Sequence, residues 1–337
     1  MAMTAGLDAG TGLADLPGAL AARVRLAELP TPLVAAPRLA RVLGTGPLLV
    51  KRDDLTGFAF GGNKARPLEF LAGAAIADGA DTLVTGGAPG SNFCAAAAAA
   101  AQRAGLGCQL VMAGRPGPPG PAIALALSWG ATVRWTGSQD RESVDTGLPR
   151  AAAELGARGH RPYLIPRGGS TALGAAGYAL AAFELRRQLA ERGIESAQVV
   201  VAVGSGGTLA GLVAGNVLSG RPWTLLGASA SRPPDVAAGR VLTLARQCLQ
   251  VLGRAGAAVA ESDVRVADVR GPGHGLPSAA GTAAAGHAMR TEGLMADPVY
   301  TAKALALLPA CTAAETVVFW HTGGVLDVVA AAMEARK

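Results

Sequence analysis

Lysine is nearly missing from this chain: four occur among 337 residues, against 26 arginines. Aromatic side chains make up only 4%, too few for the stacked-ring platforms that bind single-stranded nucleic acids. No run of five basic residues occurs, and a net charge of +6 is spread along the chain, which excludes a nucleic-acid footprint. Apolar runs long enough to cross a membrane are also lacking. The richest, Cys94 to Ala101, is cut by Gln102 and Arg103, well short of the roughly 18 residues a span requires. No basic stretch followed by an apolar one marks a secretory leader. The cysteines at 94, 108, 248 and 311 have neither metal-ligand spacing nor the density of a disulfide framework, so no metal site is expected. These absences predict a soluble, cytoplasmic, reduced protein that engages neither nucleic acid nor membrane.

Scarcity makes the remaining lysines informative. Arginine stays charged at any working pH, whereas a desolvated lysine can lose its proton and act as nucleophile or base. Lys64 stands in Gly61-Gly62-Asn63-Lys64-Ala65-Arg66, shortly after Lys51-Arg52-Asp53-Asp54, and is the candidate for such chemistry.

A chain of this length exceeds what one core supports, so two domains are expected. Residues 1 to about 14 read as a frayed tail, and Leu29-Pro30-Thr31-Pro32-Leu33 as an extended, proline-stiffened lead-in. From Pro47 onward, short apolar strands alternate with helices. Strands are predicted at 47–51, 81–86, 107–112, 131–135 and 163–166, with helices at 66–78, 92–105, 121–130 and 141–155 between them. A second series follows, with helices at 172–192, 208–218, 235–252 and 303–308 and strands at 198–203, 223–228, 264–269 and 316–320. Such alternation predicts an α/β fold with parallel sheets covered on both faces.

Four motifs accompany Lys64. Gly204-Ser205-Gly206-Gly207-Thr208 follows an apolar strand and opens a helix, the arrangement in which backbone N–H groups and the helix dipole hold an anion. It matches neither the dinucleotide fingerprint nor the Walker loop, so a small phosphate group suits it best; Thr208 either caps the helix or donates to the anion. Ser91-Asn92 follows the strand at 81–86 and either holds a carboxylate or serves as an ordinary helix cap. His321-Thr322-Gly323-Gly324 ends the strand at 316–320, where ligands bind in open α/β sheets; Thr322 can bond a ring nitrogen, and His321 alone reads as a core histidine. Tyr300, in Asp297-Pro298-Val299-Tyr300, can stack on a flat ring. An amine, a phosphate cradle, a carboxylate loop, a ring-nitrogen partner and an aromatic side chain together suit pyridoxal 5'-phosphate and an amino-acid substrate.

With Lys51–Gly57, Gly61–Lys64, Ser91-Asn92, Gly204–Thr208, Asp297–Tyr300 and His321–Gly324 in this order, the chain resembles the D-cysteine desulfhydrase and 1-aminocyclopropane-1-carboxylate (ACC) deaminase family over about residues 27–330. The resemblance implies the pyridoxal-phosphate fold-type II architecture, similar to the tryptophan synthase β subunit. A large cofactor-binding domain would comprise 1–55 and 169–337, with a small domain, 56–168, inserted to close over the site and Pro166–Ser170 as a crossing strand and hinge. It implies a homodimer and a lyase that eliminates the β-substituent of a small amino acid, releasing keto acid and ammonia. Lys64 would bond the cofactor and take the Cα proton. Asn92 would meet the cofactor's phenolic oxygen, Gly204, Ser205, Gly206, Gly207 and Thr208 its phosphate, and Thr322 its ring nitrogen, with Ser91 and Tyr300 beside the substrate.

Three departures qualify the expected chemistry. ACC deaminases of the family carry a glutamate where this chain has Thr301, which argues against cyclopropane opening. Phe93 replaces a histidine usual after Ser-Asn. His274, in Pro272-Gly273-His274-Gly275, stands where the family has an active-site tyrosine. That exchange replaces an acid of pKa about 10 by one of about 6.5, so His274 is either a general acid or base for a different leaving group or a filler of the phenol's space. β-Replacement on a specialised amino acid, or cofactor binding with little catalysis, are the competing readings; the Thr-Ser-Gly-Asn-Thr loop common in cysteine synthases is absent at Gly90–Phe93.

Overall fold

The computed structural model describes residue 20 and residues 22–334; the expected tail at 1–14 lies outside them. Among the described residues the chain runs β1 (Leu33–Ala35), α1 (Pro37–Leu43), β2 (Leu48–Arg52), α2 (Ala65–Ala77), β3 (Thr82–Gly87), α3 (Asn92–Arg103), β4 (Gly107–Met112), α4 (Pro121–Ser128), β5 (Thr132–Trp135), α5 (Ser143–Ala157) and β6 (Pro162–Leu164). It continues with α6 (Ala172–Ala190), β7 (Ala197–Val203), α7 (Gly207–Leu218), β8 (Trp223–Ser229), α8 (Pro234–Val251), β9 (Arg265–Asp268), α9 (Ala279–Glu292), α10 (Thr301–Leu305), β10 (Val317–His321) and α11 (Val325–Glu334).

Two sheets result, a six-stranded one in the order β1-β2-β10-β7-β8-β9 and a four-stranded one in the order β5-β4-β3-β6. Every pairing is parallel except β1 with β2, where Leu33 lies opposite Lys51. The proline-stiffened lead-in thus ends as a short antiparallel edge strand, a position that tolerates nearby prolines because one side of the ladder is unpaired.

The central strands are buried on both faces, as their unbroken apolar runs require: Val199, Val200, Val201, Val317, Val318, Phe319 and Trp320 are all inaccessible to solvent. Helix α3 is buried throughout Phe93–Ala101, its alanines packing beside Leu83 and Leu110 in the core of the four-stranded sheet. Helices α6 and α7 approach closely at Gly211, where a β-carbon would come within 2.1 Å of the Ala175 carbonyl oxygen.

Segment Pro166–Ser170 is not the crossing strand that was expected. Arg167–Gly169 makes a single 3-10 turn, with φ of 74° at Gly168 and 65° at Gly169. Two successive left-handed residues cannot extend a strand.

Candidate active site

A cavity of about 520 Å³ opens at the carboxyl ends of β3, β7 and β10, the end of a parallel sheet where ligands bind. Its wall includes Lys64, Ser91, Asn92, Gly204, Ser205, Gly206, Gly207, Thr208, His274, Tyr300 and Thr322, so the structure brings together every site residue expected from the sequence.

Lys64 stands at the first turn of α2. Burial lowers its pKa from 10.5 to about 8, against a smaller opposing pull from Asp297. A lysine in that state loses its proton close to neutral pH, which a nucleophile or base requires. Its loop is fastened on all sides. The N–H of Gly62 donates to the Asp53 carbonyl at 3.0 Å and that of Asn63 to the Thr322 carbonyl at 2.9 Å, while the Asn63 amide donates to the Thr208 hydroxyl at 3.0 Å.

Beneath this loop lies a buried ionic lattice that the sequence reading missed. Asp53 accepts from Thr31, Tyr178, Trp320 and twice from Arg66. Glu184 accepts from both Lys51 and Arg66. Burial raises the Asp53 carboxyl, but Arg66, joined by Lys51 and Tyr178, more than offsets that and holds it below the usual range, so Asp53 stays ionised. Arg66 follows Lys64 by two residues, which couples the lattice to the amine through one turn of α2. The clue available in the sequence was the clustering of Lys51, Asp53 and Arg66, but Glu184, Tyr178 and Trp320 arrive from distant elements.

At the glycine loop, Gly206 takes the capping position of α7 with φ of 99°, so Thr208 does not cap. Its hydroxyl accepts from Asn63 and keeps its own hydrogen for another acceptor. The N–H of Gly207 donates to Ser170 at 3.2 Å. Those of Ser205, Gly206 and Thr208 have no hydrogen-bond partner among the described residues. Converging free N–H groups at a helix start are an anion site, and the Ser170 and Ser205 hydroxyls, 2.5 Å apart, lie alongside.

Ser91 caps α3 by accepting from the Cys94 N–H at 3.3 Å, the helix-cap reading, and it also lines the cavity. Asn92 donates to Asp327 at 2.7 Å, while its Oδ1 is buried without a partner. Burial raises the Asp327 carboxyl to about 6, against the opposing Asn92 bond. Phe93 is buried in the core of the four-stranded sheet, with its ring edge against Gly169. His321 is the core histidine expected: its Nε2 bonds the Met295 carbonyl at 3.0 Å, and its Nδ1 accepts from Gly323.

Tyr300 lies against the glycine loop; a β-carbon on Gly204 would come within 3.1 Å of its ring. Its hydroxyl is 3.0 Å from Nε2 of His274, whose Nδ1 is 3.2 Å from Arg141. Burial, then Arg141, Lys303 and Arg232, push the His274 imidazole down to about 4. That corrects the expectation of an acid titrating near 6.5: His274 is neutral at physiological pH. Lys303 donates to the carbonyls of Arg270 and Gly273 at 2.7 and 3.0 Å and so holds the His274 turn. Thr301 is buried and is not part of the cavity wall; its hydroxyl donates to Asp297 at 2.5 Å. Arg141, Arg232, Arg240 and Asp327 also line the cavity and were not anticipated. Arg141 and Arg232 lie on turns and Arg240 inside α8 with no local motif, and Asp327 stands in the first turn of α11.

The donor set fits pyridoxal phosphate. Free N–H groups suit its phosphate, the unpartnered Asn92 Oδ1 and the Thr322 turn suit its ring, and a lysine of lowered pKa suits its aldehyde.

Comparison with known proteins agrees. Residues 24–323 match the family described as pyridoxal-phosphate dependent enzymes. A D-cysteine desulfhydrase from Klebsiella pneumoniae strain 342 is 38% identical over 291 residues, covering 82% of this chain and 86% of that one. A crystal structure described as an ACC deaminase homologue superposes with a TM-score of 0.83 at 32% identity, covering 94% of each chain. A threonine deaminase of T.th., with a TM-score of 0.65 at 23% identity over 87% of this chain and 92% of that one, shares the fold.

Proposed function

The chain belongs to the family of pyridoxal-phosphate-dependent enzymes, and on that premise we propose that it eliminates the β-substituent of a small amino acid, as a D-cysteine desulfhydrase does, releasing keto acid and ammonia. The observation that carries the proposal is Lys64, an amine without a hydrogen-bond partner among the described residues, in the wall of a cavity with an open anion cradle.

Pyridoxal phosphate, when bound, supplies an electron sink that makes the Cα–H bond of an attached amino acid acidic. The chain's own residues do the rest. The free N–H groups of Ser205, Gly206 and Thr208, with the Thr208 hydroxyl, would hold the phosphate. Thr322 serves the ring nitrogen and Asn92 the phenolic oxygen. The start of α3, at Ser91 and Asn92, receives the substrate carboxylate. The Lys64 amine, close to neutral, takes the Cα proton, and the Tyr300 hydroxyl faces the departing group. Burial raises Tyr300 to about 12, with Arg141 opposing, so it retains its hydrogen and acts as a donor. Thr301, committed to Asp297, offers no carboxylate to protonate the ring nitrogen, which argues against cyclopropane opening.

Residues 56–168, which hold the four-stranded sheet, would move as a small body over a larger one, excluding water. The family resemblance extends this reading to a homodimer, checked by light scattering. A reducing, cytoplasmic setting accords with four free, buried cysteines. No described helix is long and apolar enough to cross a membrane.

The test is borohydride reduction of the purified protein, peptide mapping, and a panel of D- and L-amino acids assayed for keto acid and ammonium. Label on Lys64 and turnover of a β-substituted amino acid are expected. A label elsewhere overturns the site, and ACC as the best substrate overturns the reading of Thr301.

A further inference from the structure

Four guanidinium groups line the cavity: Arg141, Arg167, Arg232 and Arg240. Three are accounted for. Arg167 pairs with Asp145, Nε to Oδ1 at 2.6 Å. Arg232 donates to the Gly204 carbonyl at 2.7 Å and Arg240 to the Ser205 carbonyl at 2.8 Å, which fastens the phosphate loop from behind. Arg141 is left over. Its one side-chain hydrogen bond is to His274, and no carboxylate among the described residues lies within 4 Å of it.

That single bond fixes the direction of a chain of donors. A guanidinium can only donate, so His274 Nδ1 must accept, and the ring proton sits on Nε2. Nε2–H therefore donates to the Tyr300 oxygen at 3.0 Å, and the Tyr300 hydroxyl hydrogen is turned away from His274. Arg141 and Tyr300 thus bring a permanent cation with no carboxylate partner and a free O–H with no protein acceptor to the same cavity wall. Arg232 and Arg240 also lack a carboxylate but are tied to backbone carbonyls, whereas Arg141 keeps N–H donors to spare, and the partner for them is an acceptor that the ligand brings.

Building on the elimination reading above, we propose that the substrate's β-substituent is itself an oxoanion, a sulfonate or a phosphate ester, received by Arg141 and the Tyr300 hydroxyl. A planar guanidinium fork matches the paired oxygens of such a group, whereas a thiol is a weak acceptor. The substrate's α-carboxylate has its own place at the start of α3, so Arg141 is not needed for it. With cysteate, the Cβ–S bond breaks and sulfite departs with the electron pair. The Cα proton goes to Lys64, and water consumed by the three-carbon remainder gives pyruvate and ammonium. With O-phosphoserine the Cβ–O bond breaks and phosphate leaves in the same way.

The holoenzyme is assayed for pyruvate and ammonium with D- and L-cysteate, O-phosphoserine, cysteine and 3-chloroalanine. An oxoanion substrate should exceed cysteine in kcat/KM by about tenfold or more, the worth of one charge-assisted bond. Arg141→Gln should lower the oxoanion-to-chloroalanine ratio about 10- to 100-fold, chiefly through KM, and Arg141→Lys should restore part of it. Calorimetric binding of homocysteate, which has no leaving group at Cβ, should weaken about tenfold or more in Arg141→Gln, with the circular dichroism unchanged. Cysteine preferred over every oxoanion, or a ratio that Arg141→Gln does not move, overturns the proposal. If no amino acid, chloroalanine included, yields ammonium, the elimination reading fails, and homocysteate binding still decides the role of Arg141.

Discussion

Two lysines thirteen residues apart both lose water to the protein around them, and only one of them is given a carboxylate in exchange. Lys51 is fully buried and held by Glu184, the Thr31 carbonyl and Gln188. Burial lowers its pKa, but Glu184 and Asp53 pull it back, and it belongs to a lattice in which two cations balance two carboxylates. Lys64 faces a cavity with only Asp297 acting from a distance, and its pKa falls to about 8. Desolvation lowers both; only Lys51 has a carboxylate in contact to support its charge. The lattice is therefore a foundation, and the cavity is where that compensation is withheld.

The strongest way to break this comparison is to make one substitution at both positions. Lys51→Met removes a charge from a balanced buried set, leaving a net negative lattice. Breaking a buried pair in that way costs roughly 3–5 kcal/mol, to be read as a lower midpoint in urea. Lys64→Met removes no ion pair and relieves a desolvated amine, so cofactor-free protein should lose little stability or gain some while activity vanishes. Equal losses at the two sites would show that Lys64 is held as Lys51 is.

A pH series sharpens the difference. Below about pH 8 both the folded and the unfolded chain carry a protonated Lys64, and the folded state bears the cost of burying it. Between about 8 and 10.5 the folded chain has released that proton and the unfolded chain has not, so stability rises with pH across this window. A fall from 10.5 to about 8 sets an upper bound of about 3 kcal/mol; partial exposure of the side chain reduces it. In cofactor-free protein, the difference in unfolding free energy between wild type and Lys64→Met should move in favour of wild type over that range. A flat difference would mean the amine titrates normally.

Most of the strands and helices were legible because each carries its own pattern. The buried runs of β7 and β10 and the alanine face of α3 announce themselves locally, and the glycine loop after β7 marks the cradle. Helices α1, α9 and α11 were not read: eight of the fourteen residues of α9 are alanine or glycine, which leaves little apolar contrast, and α1 is only seven residues long. The site was legible where residues follow strand ends, as at Ser91, Thr208 and Thr322. It was not where the chemistry comes from pairing across the chain. Arg141 meets His274 over 133 residues and Asp53 meets Trp320 over 267, partnerships that no local spacing encodes. The scarcity of lysine was itself only half informative, since it singled out Lys51 and Lys303 as much as Lys64.

Lys303 supplies the third and smallest test. Its side chain has no accessible surface, yet its ammonium bonds carbonyls of a surface turn, Arg270 and Gly273, instead of a carboxylate. It stands between the other two lysines, compensated by dipoles alone. Those bonds fix the turn that carries His274, and through it the direction of the Tyr300 hydroxyl. Lys303→Met keeps the stem and deletes the donors, so the turn loosens at a cost of about 1.5–2 kcal/mol, the low end of the range for hydrogen bonds made by a charged group. The expected signature is a severalfold loss in kcat/KM with borohydride labelling of Lys64 undiminished, because the amine and its lattice lie on other elements. Loss of the label together with activity would mean that the His274 turn supports the cofactor as well as the substrate, and would join two walls of the cavity that the hydrogen bonds keep apart.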